Sequence, residues 1–247
     1  MKAQLRAELL KQRTSGTARG LFAAMLGLVA LAVLLHGLVP AGNLDSSSEQ
    51  LMVLGRGEFL GALFAALLGA LSITSEYRYG TIRPTLLVSP QRERVVAAKV
   101  RASTLIGAAF GLAGSALAAA IGTGTLRARG IDVQLDSGDY ALLLAGGTAA
   151  AALWAAIGVG VGAVVRNQVP TLIGICAWLL FVEGLPVGDV TGVGDVGRFA
   201  PGALGEAISG QDPDTLVAPA AGLVLLALYA TAAALIGALA TTRRDVA

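Results

Sequence analysis

Six stretches of this chain run without a charged side chain for long enough to cross, or nearly cross, a lipid bilayer. They are Gly20–Leu44, Phe59–Ser75, Ala102–Leu126, Tyr140–Val165, Asn167–Val182 and Thr215–Thr242. About 20 apolar helical residues span the hydrocarbon core. A backbone in lipid must satisfy its own hydrogen bonds, which a helix does. The second run is short and extends toward Leu51 if Arg56 and Glu58 sit at the interface; the fifth is interrupted by Glu183. The expected fold is an all-α integral membrane protein with six transmembrane helices, one domain over residues 1–247. A signal peptide is the other reading of the first run. That run is longer than the usual h-region, and no clear small-x-small cleavage site follows it.

Composition agrees. Only 14% of residues are charged and 55% are hydrophobic, which excludes a soluble globule with a polar surface and also disorder. Alanine and glycine fill 47 and 33 positions, and small residues let helix backbones approach closely in lipid. Gly57/Gly61, Gly107/Gly111 and Gly158/Gly162 have the small-xxx-small spacing. Cys176 is a single cysteine and His36 a single histidine, so neither an internal disulfide nor a histidine metal cluster is expected.

The few charges are sorted by side. With six spans both termini share a side, and that side carries fourteen of the eighteen Lys and Arg residues. The other side has Arg56, Arg127, Arg129 and Arg198. The positive-inside rule therefore puts both termini in the cytoplasm. Three lysines against fifteen arginines, with abundant Ala and Gly, hint at a GC-rich bacterial genome and hence a bacterial cytoplasmic membrane.

The connections differ in character. Met1–Arg19 reads as an amphipathic helix, with Leu5 and Leu9 on one face, Leu10 beside them, and Lys2, Arg6, Lys11 and Arg13 able to reach lipid phosphates. Outer loops Pro40–Arg56 and Arg127–Asp139 read as polar connectors. Gly184–Asp214 is longer, rich in Gly and Pro, and still apolar. Short helices at or in the outer leaflet fit it, one of them starting at Pro201.

Ser75–Arg101 is the substantial cytoplasmic loop. Gly80 permits a turn, Thr81 is a good N-cap, and Ile82–Val88 makes about two helical turns with Pro84 in the first. Ser89-Pro90 then starts a second helix that runs through Lys99 and Arg101 into the third span. Two helices thus meet at a cytoplasmic corner with an apolar tip, Leu86, Leu87 and Val88, and basic flanks. Such a tip suits a soluble partner, the other reading being an interfacial helix that lies on lipid.

Here Glu76-x-Arg78-x-Gly80-Thr81-Ile82, then Leu86-Leu87-x-Ser89-Pro90 and a basic stretch to Lys99, resembles the cytoplasmic loop of type-2 ABC transporter permeases. The likeness extends over the chain, including Gly158-Val-Gly160-Val-Gly162, Arg166-Asn167 and the Pro170-bearing fifth span. The resemblance implies a coupling helix between spans two and three and re-entrant outer helices between spans five and six. It implies pairing with a second permease subunit, as homodimer or heterodimer, and docking onto a cytoplasmic ATPase subunit that holds ATP and Mg. On that reading Ile82–Val88 makes the contact, while Glu76, Arg78 and Arg83 orient it. It also implies export, and a pathway lined by Ala, Gly, Leu and Val suits a lipophilic or amphipathic substrate.

Several classes fall away. A Walker A loop needs a lysine after glycine; Lys2, Lys11 and Lys99 each follow another residue, so ATP hydrolysis is expected on the partner and no cofactor on this chain. No carboxylate dyad, Ser–His or metal set lies within a span, and a nucleic-acid partner is not expected. An ATP-independent transporter or channel would want ionisable residues near the midplane, where the spans have none. Glu58 and Glu183, at outer span ends, are the candidates for an outer mouth.

Overall fold

A computed structural model describes residues 2–38, 44–82, 84, 87, 91–183, 196–212 and 215–243. Among these the regular structure is helical throughout, with no strand. In chain order the elements are α1 (Lys2–Thr14), α2 (Gly16–Leu38), α3 (Ser47–Leu54), α4 (Arg56–Arg78), α5 (Arg92–Ala128), α6 (Ser137–Val165) and α7 (Gln168–Ala177). A π-helical turn, Trp178–Val182, extends α7; a 3-10 turn (Val196–Phe199), α8 (Pro201–Ile208) and α9 (Pro219–Arg243) follow.

Five apolar stretches reach spanning length: α2, α3 with α4, α5, α6 and α9. The expected fifth span is apolar but shorter. Gln168–Val182 has 15 residues, about 22 Å of helix against a core of roughly 30 Å. The chain is therefore a multi-pass, all-α membrane protein with five helices of full spanning length among the described residues.

Helix starts follow local chemistry. Ser46 caps α3 and Glu49 reaches back to the Ser46 backbone, a reciprocal box that the polar-connector reading of Pro40–Arg56 overlooks. Gly55, at φ −61° and ψ −17°, continues α3 into α4 with helical angles. Asp136 and Asp139 form the same box at α6. Pro201 sits in the first turn of α8, as its sequence suggests. The third-span helix begins at Arg92 with Gln91 at its N-cap, two residues later than a Ser89-Pro90 start. Ser89 and Pro90 lie outside the described residues.

The bundle is organised around α4. In its apolar window 72% of residues are buried, against 22% in α2 and 17% in α9, so α4 is the axis and the other two present their apolar sides to lipid. The glycine pairs do what their spacing suggests. A Cβ on Gly111 of α5 would stand 2.2 Å from the Gly147 carbonyl of α6, and one on Gly158 of α6 would stand 2.0 Å from the Ala66 carbonyl of α4. Phe22 of α2 meets Phe110 of α5 edge-on, with ring centroids 4.9 Å apart.

The two ends of the bundle differ in charge. The basic end gathers α1, the α4–α5 junction, the α6–α7 turn and the end of α9. At the acidic end, buried Gln50 of α3 clasps the α5–α6 connection, donating to Asp132 O at 2.9 Å and accepting from Gln134 N at 3.0 Å. There too α8 buries Leu204, Ala207 and Ile208 against Gly146 of α6 and Gly222 of α9.

Replacing Gly158 by leucine forces α4 and α6 apart, and overpacking of this kind costs roughly 1–3 kcal/mol. The melting temperature in detergent should fall by several degrees, while Gly27→Leu on α2, where a Cβ meets nothing within 4 Å, leaves it unchanged.

Candidate functional site

The corner anticipated from sequence begins where α4 ends. Gly80 takes φ +67°, a left-handed conformation that glycine adopts without strain, and the chain turns there. Tyr79 is exposed before the turn and Thr81 after it. Ile82 folds inward at 3% exposure, whereas helical Pro84 and Leu87 face outward, Leu87 at 83%. Arg83, Leu86 and Val88 lie outside the described residues. The described part of the corner therefore has one apolar anchor, Ile82, and two apolar residues, Pro84 and Leu87, left in the open.

Beneath it lies a buried ionic cluster. Lys99 of α5 has no exposure, and its ammonium donates to Glu76 of α4 at 2.7 Å, Glu8 of α1 at 2.9 Å and the Ser72 carbonyl at 2.9 Å. Lys11 of α1 closes the other side, 3.0 Å from Glu76 and 3.1 Å from Glu8. Two cations and two carboxylates thus alternate around a neutral set. Partial burial disfavours the Lys11 ammonium, but the hydrogen bonds and charges of Glu76 and Glu8 outweigh it and raise its pKa. Gln12 adds a buried bond from α1 to Ser103 Oγ of α5 at 3.0 Å.

The sequence therefore singles out Glu76 but not its partners. By sequence, Glu8, Lys11 and Lys99 belong to basic, lipid-facing or loop segments. Two signals of the cluster are nonetheless present there: Glu8 is an acid among basic residues, and Lys99 sits between Ala98 and Val100. Arg78 takes no part in these ion pairs; it is exposed, donates to Gln168 Oε1 at 3.2 Å and lies over the Tyr79 ring.

Other basic-end arginines hold carbonyls. Arg166, itself in a left-handed conformation at the end of α6, donates to Ala240 O at 2.6 Å and lies 5.4 Å from the Tyr77 ring centroid. Arg92 donates to Thr241 O at 3.0 Å. Both satisfy carbonyls in the last turn of α9, where positive charge also suits the helix dipole.

At the acidic end the structure brings Glu58 and Glu183 to one short helix. Glu58 is buried beneath α8, where a Cβ on Gly205 would stand 2.6 Å from its Oε1, and Gln211 approaches its other oxygen at 3.5 Å. Glu183 accepts from Trp178 Nε1 and from the backbone of Gly202 and Ala203 at the start of α8. Burial raises the Glu183 carboxyl to about 7, the bonds from Trp178 and α8 opposing the rise. Glu206, on α8 itself, is a third carboxylate, one that no sequence motif marks; burial raises it and the Arg56 charge opposes that. Among the described residues no set of three His, Cys, Asp or Glu is placed to hold a metal ion.

No protein-family model matches this chain, and no curated protein matches it either.

Removing one partner of a buried ion pair leaves an uncompensated charge and typically costs about 3–5 kcal/mol. Lys99→Met should therefore lower the melting temperature in detergent far more than Arg78→Met, whose guanidinium is exposed. For Glu183, the folded pKa of about 7 lies above the ordinary 4.5, so the folded state holds its proton longer than the unfolded one. Stability should fall as pH rises from about 4.5 to 7. Glu183→Gln should flatten that part of a melting-temperature profile.

Proposed function

We propose that this chain is the transmembrane permease subunit of an ATP-driven transporter of the type-2 ABC class. In this reading α7 with its π turn is a sixth, shorter span, the basic end faces the bacterial cytoplasm with both termini, and α8 is re-entrant from the outer side. Two permease subunits pair, and each presents its corner to a cytoplasmic ATPase subunit, which holds ATP and Mg.

The observation that carries this reading is the corner itself. A connector between two spans needs neither a glycine in the left-handed region at its turn nor an outward-facing leucine at 83% exposure. The corner follows in sequence from Glu76, which pairs with a fully buried lysine that also holds Glu8 of α1. An exposed apolar tip on a rigid base receives force well: a partner can grip Leu87, and Glu76 passes the displacement to α1 and α5 together. A pathway drawn from a chain this rich in Ala, Gly, Leu and Val suits a lipophilic or amphipathic substrate, and the energy then comes from the partner.

A second reading, an ATP-independent transporter, is favoured by one observation: Glu58, Glu183 and Glu206 gather around α8 at the acidic end. Co-purification and coupling separate the two. The chain should co-purify with an ATPase subunit. The double variant Leu86→Asp, Leu87→Asp should insert normally yet lose stimulation of that ATPase and transport. Unchanged stimulation refutes the docking assignment, and substrate flux through the chain alone in liposomes establishes the second reading.

A further inference from the structure

A cavity of about 210 Å³ lies at the acidic end, between the α3–α4 junction and the end of α8 with the residues that follow it. At about 30 Å³ per water it has room for roughly seven waters, so an occupant has roughly six to eight non-hydrogen atoms. Its walls divide by chemistry. Arg56 supplies a cation, Glu206 and Asp212 supply anions, and Met52 and Phe59 give apolar surface.

The opposite charges share this space without pairing. Burial raises the Glu206 carboxyl and the Arg56 charge opposes that, so the two lie near each other. Yet among the described residues neither the Arg56 guanidinium nor the Glu206 carboxylate has an ion-pair or hydrogen-bond partner. Arg56 Nε is sealed from solvent, but its terminal nitrogens and both Glu206 carboxylate oxygens remain within reach. Asp212 is half satisfied, its Oδ2 accepting from Thr215 Oγ1 at 2.7 Å.

Gln211, at 8% exposure, adds a third acceptor. Its Nε2 is committed to Ser209 Oγ at 2.8 Å, and its backbone N–H donates to the Glu206 carbonyl at 3.1 Å. Oε1 then stands over Gly55, which also lines the cavity; a Cβ there would come 1.9 Å from it. This oxygen has no donor among the described residues and is not sealed off.

A guanidinium takes a carboxylate through two parallel hydrogen bonds. Two carboxylates and an amide oxygen offer three acceptors, as many as a primary ammonium has N–H donors. A simple anion would meet Glu206 and Asp212, and a simple cation would meet Arg56; a small molecule that carries both charges answers both. We propose that this cavity binds one zwitterionic α-amino acid with a small apolar side chain. Its carboxylate pairs with Arg56, its ammonium donates to Glu206, Asp212 and Gln211 Oε1, and its side chain lies against Met52 and Phe59. Alanine and valine have the right size. The site goes beyond both transporter readings and depends on neither.

The test uses the full chain in detergent and isothermal titration calorimetry with L-valine as the probe. L-Valine should bind saturably at one site per chain. Isobutylamine, which lacks the carboxylate, and isovalerate, which lacks the ammonium, should each bind about tenfold more weakly or worse, because each leaves one protein charge unanswered. L-Tryptophan, too large for the cavity, should fail to compete. Glu206→Gln should weaken L-valine about tenfold and narrow its lead over isovalerate, while Arg56→Gln narrows its lead over isobutylamine. The proposal is overturned by the absence of saturable L-valine binding up to roughly 10 mM, by equal binding of L-valine and either single-charge analogue, by L-tryptophan binding as tightly as L-valine, or by unchanged L-valine affinity in both variants. The analogue series is read on the unaltered chain, so it decides the matter even if a variant does not fold.

Discussion

A lysine with no solvent exposure is the constraint on which the basic end depends. Taking an ammonium out of water costs several kcal/mol even after relaxation, and Lys99 recovers that only because two carboxylates and a carbonyl converge on it. Neither carboxylate is on its own helix. Glu8 comes from α1 and Glu76 from α4, so the three elements are folded as a unit or not at all. This explains why α1 is not a helix lying loosely on lipid. It turns Glu8 and Gln12 inward, at 4% and 6% exposure, and leaves Leu10, at 64%, for the membrane surface.

The same economy governs the rest of the bundle. Lipid offers no hydrophobic drive for helices to associate, so contact has to come from close backbone approach and from polar groups that would otherwise go unpaired. Gly111 against Gly147 and Gly158 against Ala66 supply the first. Gln50, Arg166 and Arg92 supply the second, each reaching a carbonyl of another segment. Arg166 and Arg92, which the sequence presents only as basic loop residues, are thus fasteners between helices.

Much of this is legible in the sequence, and what is not has physical reasons. Apolar runs report helices well because lipid imposes one length and one composition; α5, α6 and α9 fall close to where charge is absent. The α7 run is apolar but too short for the same criterion, which is where the count of spans parts from expectation. The Ser46–Glu49 box announces α3, yet its few apolar residues read as loop beside the longer run after it. The candidate site is half legible. Gly80, Ile82 and Glu76 carry local signals, a turn residue, an apolar position and an acid. Their meeting with Glu8, Lys11 and Lys99 joins positions 8 to 99 in the chain, and no periodicity encodes that. Glu206 escapes notice for the same reason: it becomes significant only when α8 is seated between α6 and α9.

One helix ties the two ends together. α5 runs unbroken for 37 residues, about 55 Å, from Arg92 at the basic end to Ala128 at the acidic end. A rod of that length is a lever. A tilt of about 5° about one end sweeps the other through roughly 5 Å, close to one helical turn. A shift of Lys99 with its two carboxylates would therefore be felt at the acidic end as motion of the rod, with no chain of intermediate side chains to relay it.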